Sequence, residues 1–413
     1  MEEEMKKTAG VEERVGGEAK AAENAVSASG DAKKRPKWPL VVGAALLCGL
    51  VVGGGFWLAQ VLKGEEEREI VENKEERKIV KAPGLNIVPT MLDELTSDAA
   101  WCGTFQLVWN DMKNEVVGGD VVYAPQLSLA ENLNKETFTA DMLSPEYYYK
   151  KWGLKNLELK AEIEEGIATK FNETSDVLND IDWSEDALND PNDPDVNRYL
   201  FYVMLRRKFE YPKELTKLED GEFNGKNGVK YFGIDGSTAD EVRDQVEVQY
   251  YNSEQDFAIL VGTKGRDELI FVKSPEGVTF DEIYRNADKK VKSFAGERDL
   301  LEIDRLKIPN LDFDEKRTYT EFEGKKFPTR LGRGEIIKAI QTIRFSLDEK
   351  GGEVKSEAVI DMLDAMSALE DDEPEKPRYF YLDNTFAMFI REKGKSSPYF
   401  AARVDDIEKF QSK

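Results

Sequence analysis

The stretch DEKGGEVKSEAV, residues 348–359, follows an alternating run in which Ile343, Phe345 and Leu347 are interleaved with Thr342, Arg344 and Ser346. Apolar and polar residues in alternation give the period of a strand. Continued at period two past the glycine pair, one face carries Gly352, Val354, Ser356 and Ala358. The other carries Glu353, Lys355 and Glu357. The first face is small throughout and the second is solvated. Such a segment can enter a sheet as an extra strand, its small side chains toward the core. An ordinary edge strand, then a short helix over residues 359–369 and a loop, fits the same pattern. Residues 370–377 (EDDEPEKP) are charged and proline-broken, so they hold no central strand.

Upstream, residues 157–179 predict a helix, with Ile163, Ile167 and Phe171 every four positions on one face. Residues 246–248, 257–261 and 269–272 predict a meander, and residues 386–390 and 399–404 a hairpin across 394–398. Helices early and antiparallel strands later predict an α+β domain. No linker forces a division between residues 83 and 413.

The N-terminal part is different. Residues 1–37 are rich in Glu, Lys, Ala and Gly and predict a disordered tail. A run of 22 residues without a charge follows from Trp38 to Ala59, long enough to cross a bilayer as a helix. We assign the transmembrane helix to residues 38–62. Lys33, Lys34, Arg35 and Lys37 precede it, and Glu65, Glu66 and Glu67 follow. The positive-inside rule then puts the N-terminus in the cytoplasm and the C-terminal domain outside a single-pass cell-membrane protein. A cleaved signal peptide is the alternative, but the polar lead and the apolar run are both long for one. Residues 63–82 mix both charge signs and predict a helical stalk.

The formal net charge of the 413 residues is −24. Phosphates are repelled by such a chain, so no nucleic acid partner is expected. The sequence contains no histidine, which excludes Ser-His-Asp and Cys-His catalysis and every His-containing zinc site. Cys48 falls in the apolar run and so cannot bridge Cys102, whose default role is a buried small residue. A domain without an internal disulfide suits a bacterial surface. Asp190, Asn192, Asp193 and Asp195 cluster, but the Gly and Glu of a calcium loop are missing and the reading is a solvated acidic loop. Asn172-Glu173-Thr174 is a glycosylation sequon. No phosphate loop or nucleophile elbow is present, and no cofactor is expected.

The last third of the chain resembles a serpin. The segment Glu349-Lys350-Gly351-Gly352-Glu353 is similar to the family's Glu-x-Gly hinge. Residues 380–386 (FYLDNTF), 387–390 (AMFI) and 398–404 (PYFAARV) resemble its closing strands, Leu306-Lys307-Ile308-Pro309 a core strand, and residues 200–212 (LFYVMLRRKFEYP) its central-sheet strand. The chain departs from the pattern at Thr385 (Pro in the family), at Ala402 (Gly), at Gly352, where inhibitors carry Thr or Ser, and at residues 354–357, where they carry alanines. The resemblance implies a serpin-like domain over residues 83–413 with helices and large antiparallel sheets, and no enzymatic activity. It implies a reactive-loop hinge made of Glu349, Gly351, Gly352, Glu353, Val354, Ser356 and Ala358. Counted from that hinge, the scissile region falls at Ala365 and Met366, where a small residue suits elastase-like proteases. The implied partner is a serine or cysteine protease that cuts the loop and is trapped as the freed strand enters the sheet. A non-inhibitory surface-binding or scaffold module of the same fold, with another surface protein as partner, is the alternative; Lys355, Glu357 and the absent Thr favour it.

Overall fold

A computed structural model describes residues 84–184, 196–354 and 376–411. They fall within one unit, Arg77–Lys413. The tail, the assigned membrane helix at 38–62 and the stalk lie outside the described residues, as do Asp190, Asn192, Asp193, Asp195, Ser356, Ala358, Ala365 and Met366. Among the described residues no helix is long and apolar enough to cross a membrane.

A seven-stranded sheet runs in the order β1 (Asn86–Ile87), β2 (Ala99–Cys102), β21 (Phe400–Val404), β20 (Phe386–Glu392), β12 (Asp267–Lys273), β11 (Asp256–Gly262) and β10 (Val246–Ser253). The expected meander is β10–β12 and the expected hairpin β20–β21. Residues 386–390 of β20 are all buried. That is why they read as a continuous apolar run and not as an alternation. A smaller sheet orders β19 (Tyr379–Tyr381), β13 (Arg305–Pro309), β9 (Tyr231–Ile234) and β6 (Thr216–Lys217). A ribbon of β7 (Gly221–Phe223) and β8 (Lys226–Val229) lies against it, the Tyr231 hydroxyl donating to the Glu222 carbonyl.

The remaining strands form two four-stranded sheets: β15 (Lys326–Thr329), β16 (Gly332–Ile336), β4 (Val196–Leu205) and β3 (Tyr148–Leu154); and β14 (Leu311–Thr318), β17 (Ile340–Asp348), β18 (Gly351–Val354) and β5 (Arg207–Glu210). Strands therefore appear early as well as late, and the mixed α+β composition holds although the expected helices-then-sheet order does not. Four helices serve as markers: α1 (Thr104–Asp111), α2 (Ser128–Lys135), α3 (Leu157–Phe171) and α4 (Phe280–Ser293).

The predicted helix over 157–179 is shorter in the structure. The side chain of Asn156 caps the start of α3, and Asn172 in the left-handed region (φ 53°) ends it. A separate 3-10 turn, Val177–Asp180, follows. The face of α3 bearing Leu159, Ile163 and Ile167 packs with Leu178, Ile181, Leu200 and Tyr202 on one side of β4. On the other side of β4, Tyr199 packs with Phe105, Trp109 and Met112, on and just beyond α1. The sheet at β4 is thus covered on both faces.

Candidate functional site

Two long strand pairs, β4 with β5 and β16 with β17, run side by side in the same direction. At one end they pair directly, Arg333 opposite Val196 through Ile336 opposite Tyr199. At the other end β18 separates them and pairs antiparallel with both. Leu347 and Phe209 both stand opposite Gly352, and Arg207 stands opposite Val354. Between these ends, no strand among the described residues lies between residues 200–206 and residues 337–345. The outer neighbours, β3 and β14, satisfy only one edge of each. Two strand edges with backbone donors and acceptors therefore face each other across an open seam. The seam is a cleft of about 210 Å³. Phe105 and Trp109 line its back, Ser175 and Ile181 its front, and Val354 its end.

Of the hinge residues expected from sequence, five are described, and four of them form β18. Glu349 precedes it, its carbonyl accepting from the Leu215 amide at 2.8 Å, and the Lys350 carbonyl accepts from the Tyr211 amide at 3.0 Å. Gly351 has φ 142°, and a Cβ there would lie 2.2 Å from the Phe209 carbonyl oxygen. Only glycine fits that approach. Gly352 and Glu353 are half-buried and Val354 is buried.

Beside Val354 lies a charged cluster the sequence reading missed. Arg207 is buried, pairs with Asp267 at 2.8 Å and with Glu392, and its guanidinium sits 3.6 Å from the centre of the Tyr147 ring. Tyr399 donates to Asp267 at 2.9 Å. Burial pushes the Asp267 carboxyl up against the pull of Arg207. Burial acts the same way on Glu392, yet the Ser144 amide and hydroxyl, with Arg207, hold that carboxyl below its ordinary value. Breaking such a pair from one side strands a buried charge, at a cost of about 3–5 kcal/mol. The signal was available: Arg207 is in phase with Phe209 and Tyr211 on the inward face of β5 and the residue after it.

A second missed residue, Gln341, ties β17 to the back of the seam. Its amide donates to the Cys102 carbonyl at 3.0 Å and to the Thr104 hydroxyl at 3.2 Å, and it accepts from the Tyr319 hydroxyl at 2.7 Å. Cys102 is buried, as expected, and burial pushes its thiol up. A protonated buried thiol is no nucleophile. Among the described residues no group of His, Cys, Asp or Glu could hold a metal ion.

No family model matches the chain, and no curated protein does. The solved structures similar to this chain are serpins. One, a thyroxine-binding globulin in complex with thyroxine, is 10% identical, covers 75% of this chain and 92% of its own, and has a TM-score of 0.41. Serpin48 of the insect Tenebrio molitor is 13% identical, covering 75% and 74% at a TM-score of 0.31. The thermophilic serpin tengpin in its native state is 14% identical, covering 70% of each chain at 0.35. Overlaps of that extent leave the function to the geometry of the seam and its hinge.

Proposed function

We propose that this chain is a membrane-anchored, serpin-like protein whose loop beyond Val354 is a reactive segment for a protease, with the open seam as its acceptor. One observation carries the reading: β18 is already paired on both sides at the head of a seam that is empty among the described residues. Carried on at the same register, residues 355–361 would stand opposite residues 206–200 and 344–338 and reach the closed end at Tyr199 and Ile336. Ser356 and Ala358 would then share the face of Gly352 and Val354, where their small size fits a covered sheet. Cutting near Ala365 and Met366 would free that strand, and its entry would carry an acylated serine or cysteine protease with it. In this reading residues 38–62 anchor the protein, the N-terminus is cytoplasmic, and residues 83–413 stand outside the cell.

A surface-binding or scaffold module without inhibitory activity is the second reading. The tight fit of Gly352 against Phe209 favours it, since inhibitors of the family carry Thr or Ser at that position. A panel of serine and cysteine proteases separates the two. The inhibitor gives an SDS-resistant complex with at least one of them; a loop that is cut without any complex excludes inhibition. Protease treatment of intact cells should remove residues 83–413, and their full protection would overturn the orientation.

A further inference from the structure

Arg207 and Val354 stand opposite each other where β5 pairs with β18, so both side chains project from the same buried face. Asp267 and Glu392 stand opposite each other where β12 pairs with β20, in a different sheet, and both carboxylates reach Arg207. The hinge strand is therefore tied to the seven-stranded sheet through one side chain. None of the three side chains is more than 3% exposed. One guanidinium faces two carboxylates, which leaves one negative charge in excess inside the cluster. Arg207 Nη2 is buried without a hydrogen-bond partner. Glu392 accepts from the Ser144 amide at 2.8 Å and the Ser144 hydroxyl at 2.7 Å. Besides Arg207, Asp267 accepts from the Tyr399 hydroxyl at 2.9 Å. The other titratable groups packed against the cluster are Tyr147 on the guanidinium, Glu146 beside Tyr147, and the Cys102 thiol near Tyr399. Glu268 and Arg391, the adjoining positions of β12 and β20, pair with each other at 2.7 Å on the other face of that sheet. Lys208 and Glu353 stand opposite each other on the other face of β5 and β18. Arg266 and Lys393, the chain neighbours on the loop side, are exposed. The chain has no histidine, so a response to mild acid has to come from a carboxylate whose charged form burial disfavours.

We propose that the Arg207–Asp267–Glu392 cluster is a pH-sensitive latch on the hinge, which takes up one proton in mild acid and then holds β18 more firmly against β5. For its consequence, regulated entry of the strand into the seam, it rests on the reactive-loop reading. The proton belongs on Asp267, because burial pushes that carboxyl up, while Ser144 and Arg207 hold Glu392 down. Moving β18 off β5 uncovers the face that Val354 shares with Arg207 and lets water reach the cluster. Asp267 then returns toward the ordinary carboxylate range, so the closed hinge binds the proton more tightly than the open one. The stability gained is complete below that ordinary range and is lost as pH rises through the raised value of Asp267. Glu392 acts in the opposite direction: its contribution is lost in stronger acid, as pH falls through its lowered value. The hinge is tightest between these two limits and looser at neutral pH. A loop on this hinge is released at neutral pH and withheld in mild acid.

Hydrogen exchange on the full chain, corrected at each pH for the intrinsic rate, gives the opening constant of the amides of residues 351–354 and 207–210. In the parent that constant should fall about tenfold between about pH 7.5 and about pH 5, the effect of one linked proton over one unit. Asp267→Asn leaves Arg207 paired with Glu392 and carries no charge. Its constant should be low already at about pH 7.5 and stay level down to about pH 5. Glu392→Gln removes the excess charge, so the fall should move to lower pH. Tyr399→Phe removes a hydrogen bond that favours the charged carboxyl, so the fall should move to higher pH. It keeps the ring, and it decides the matter should Asp267→Asn not fold. A cluster that only fills space would change the opening constant in all three variants by factors independent of pH. That result, or a parent constant that does not fall toward about pH 5, would overturn the latch. Exchange reads the hinge whether or not a protease is trapped. A hinge that tightens as stated, in a protein that forms no complex with any protease, would support the latch and overturn the inhibitory reading alone.

Discussion

Gly352 and Phe209 occupy mutually exclusive space: a Cβ on residue 352 would lie 2.6 Å from Phe209 Cζ and 2.6 Å from the Ser346 carbonyl oxygen. The paired position of β18 therefore depends on a glycine. Gly352→Thr should cost about 1–3 kcal/mol by overpacking and strip hydrogen-exchange protection from residues 351–354. Phe209→Leu combined with it should recover part of that loss, a coupling of about 0.5–3 kcal/mol. Strictly additive urea-denaturation energies would show that the ring is not the obstacle.

Gln341 joins β17 to Cys102, Thr104 and Tyr319 through a buried amide. Gln341→Ala leaves the Tyr319 hydroxyl and the Cys102 carbonyl without their partner, and should cost about 1–3 kcal/mol. Tyr319→Phe should cost less, and the double variant less than the sum. A neutral Gln341→Ala would mean that water replaces the amide in full.

Tyr202 packs under the front cover of the seam, and burial pushes its phenol up to about 12. The folded value lies above the unfolded one, so the stability it contributes is complete below pH 10 and is lost as pH rises from 10 toward 12. At about 1.4 kcal/mol per unit the loss approaches 3 kcal/mol. Tyr202→Phe should lose less stability over that interval than the parent, as read by denaturation at each pH. Identical slopes would place Tyr202 in contact with water.

Much of the fold is legible in the chain because its strands carry either a one-sided alternation or a continuous apolar run. The alternation through Ile343, Phe345 and Leu347 gives β17, and the apolar runs give β10–β12 and β20. The glycine pair at 351–352 marks the hinge because backbone approach there excludes any side chain. What the pattern hides depends on long-range pairing. Nothing local tells that residues 333–336 meet residues 196–199, or that the strands part above them. Helix α3 is shorter than the expected 157–179 because Asn172 turns the chain, and the positions that would continue its apolar face beyond Phe171, Ser175 and Asn179, are polar. Arg207 and Gln341 are missed because a buried polar residue is recognised only by its partners, which lie 60 positions away for Asp267 and 237 for Thr104.

The central claim is that the seam between residues 200–206 and 337–345 is an acceptor for the chain beyond Val354. Its most direct test is the melting temperature before and after a single protease cut within residues 362–375, the fragments left together. Filling the seam adds hydrogen bonds on both edges of a seven-residue strand, each contributing about 0.5–1.5 kcal/mol. The cut protein should therefore melt on the order of 10 °C or more above the intact one. A cut protein that melts at the same temperature as the intact one, or below it, would contradict the claim.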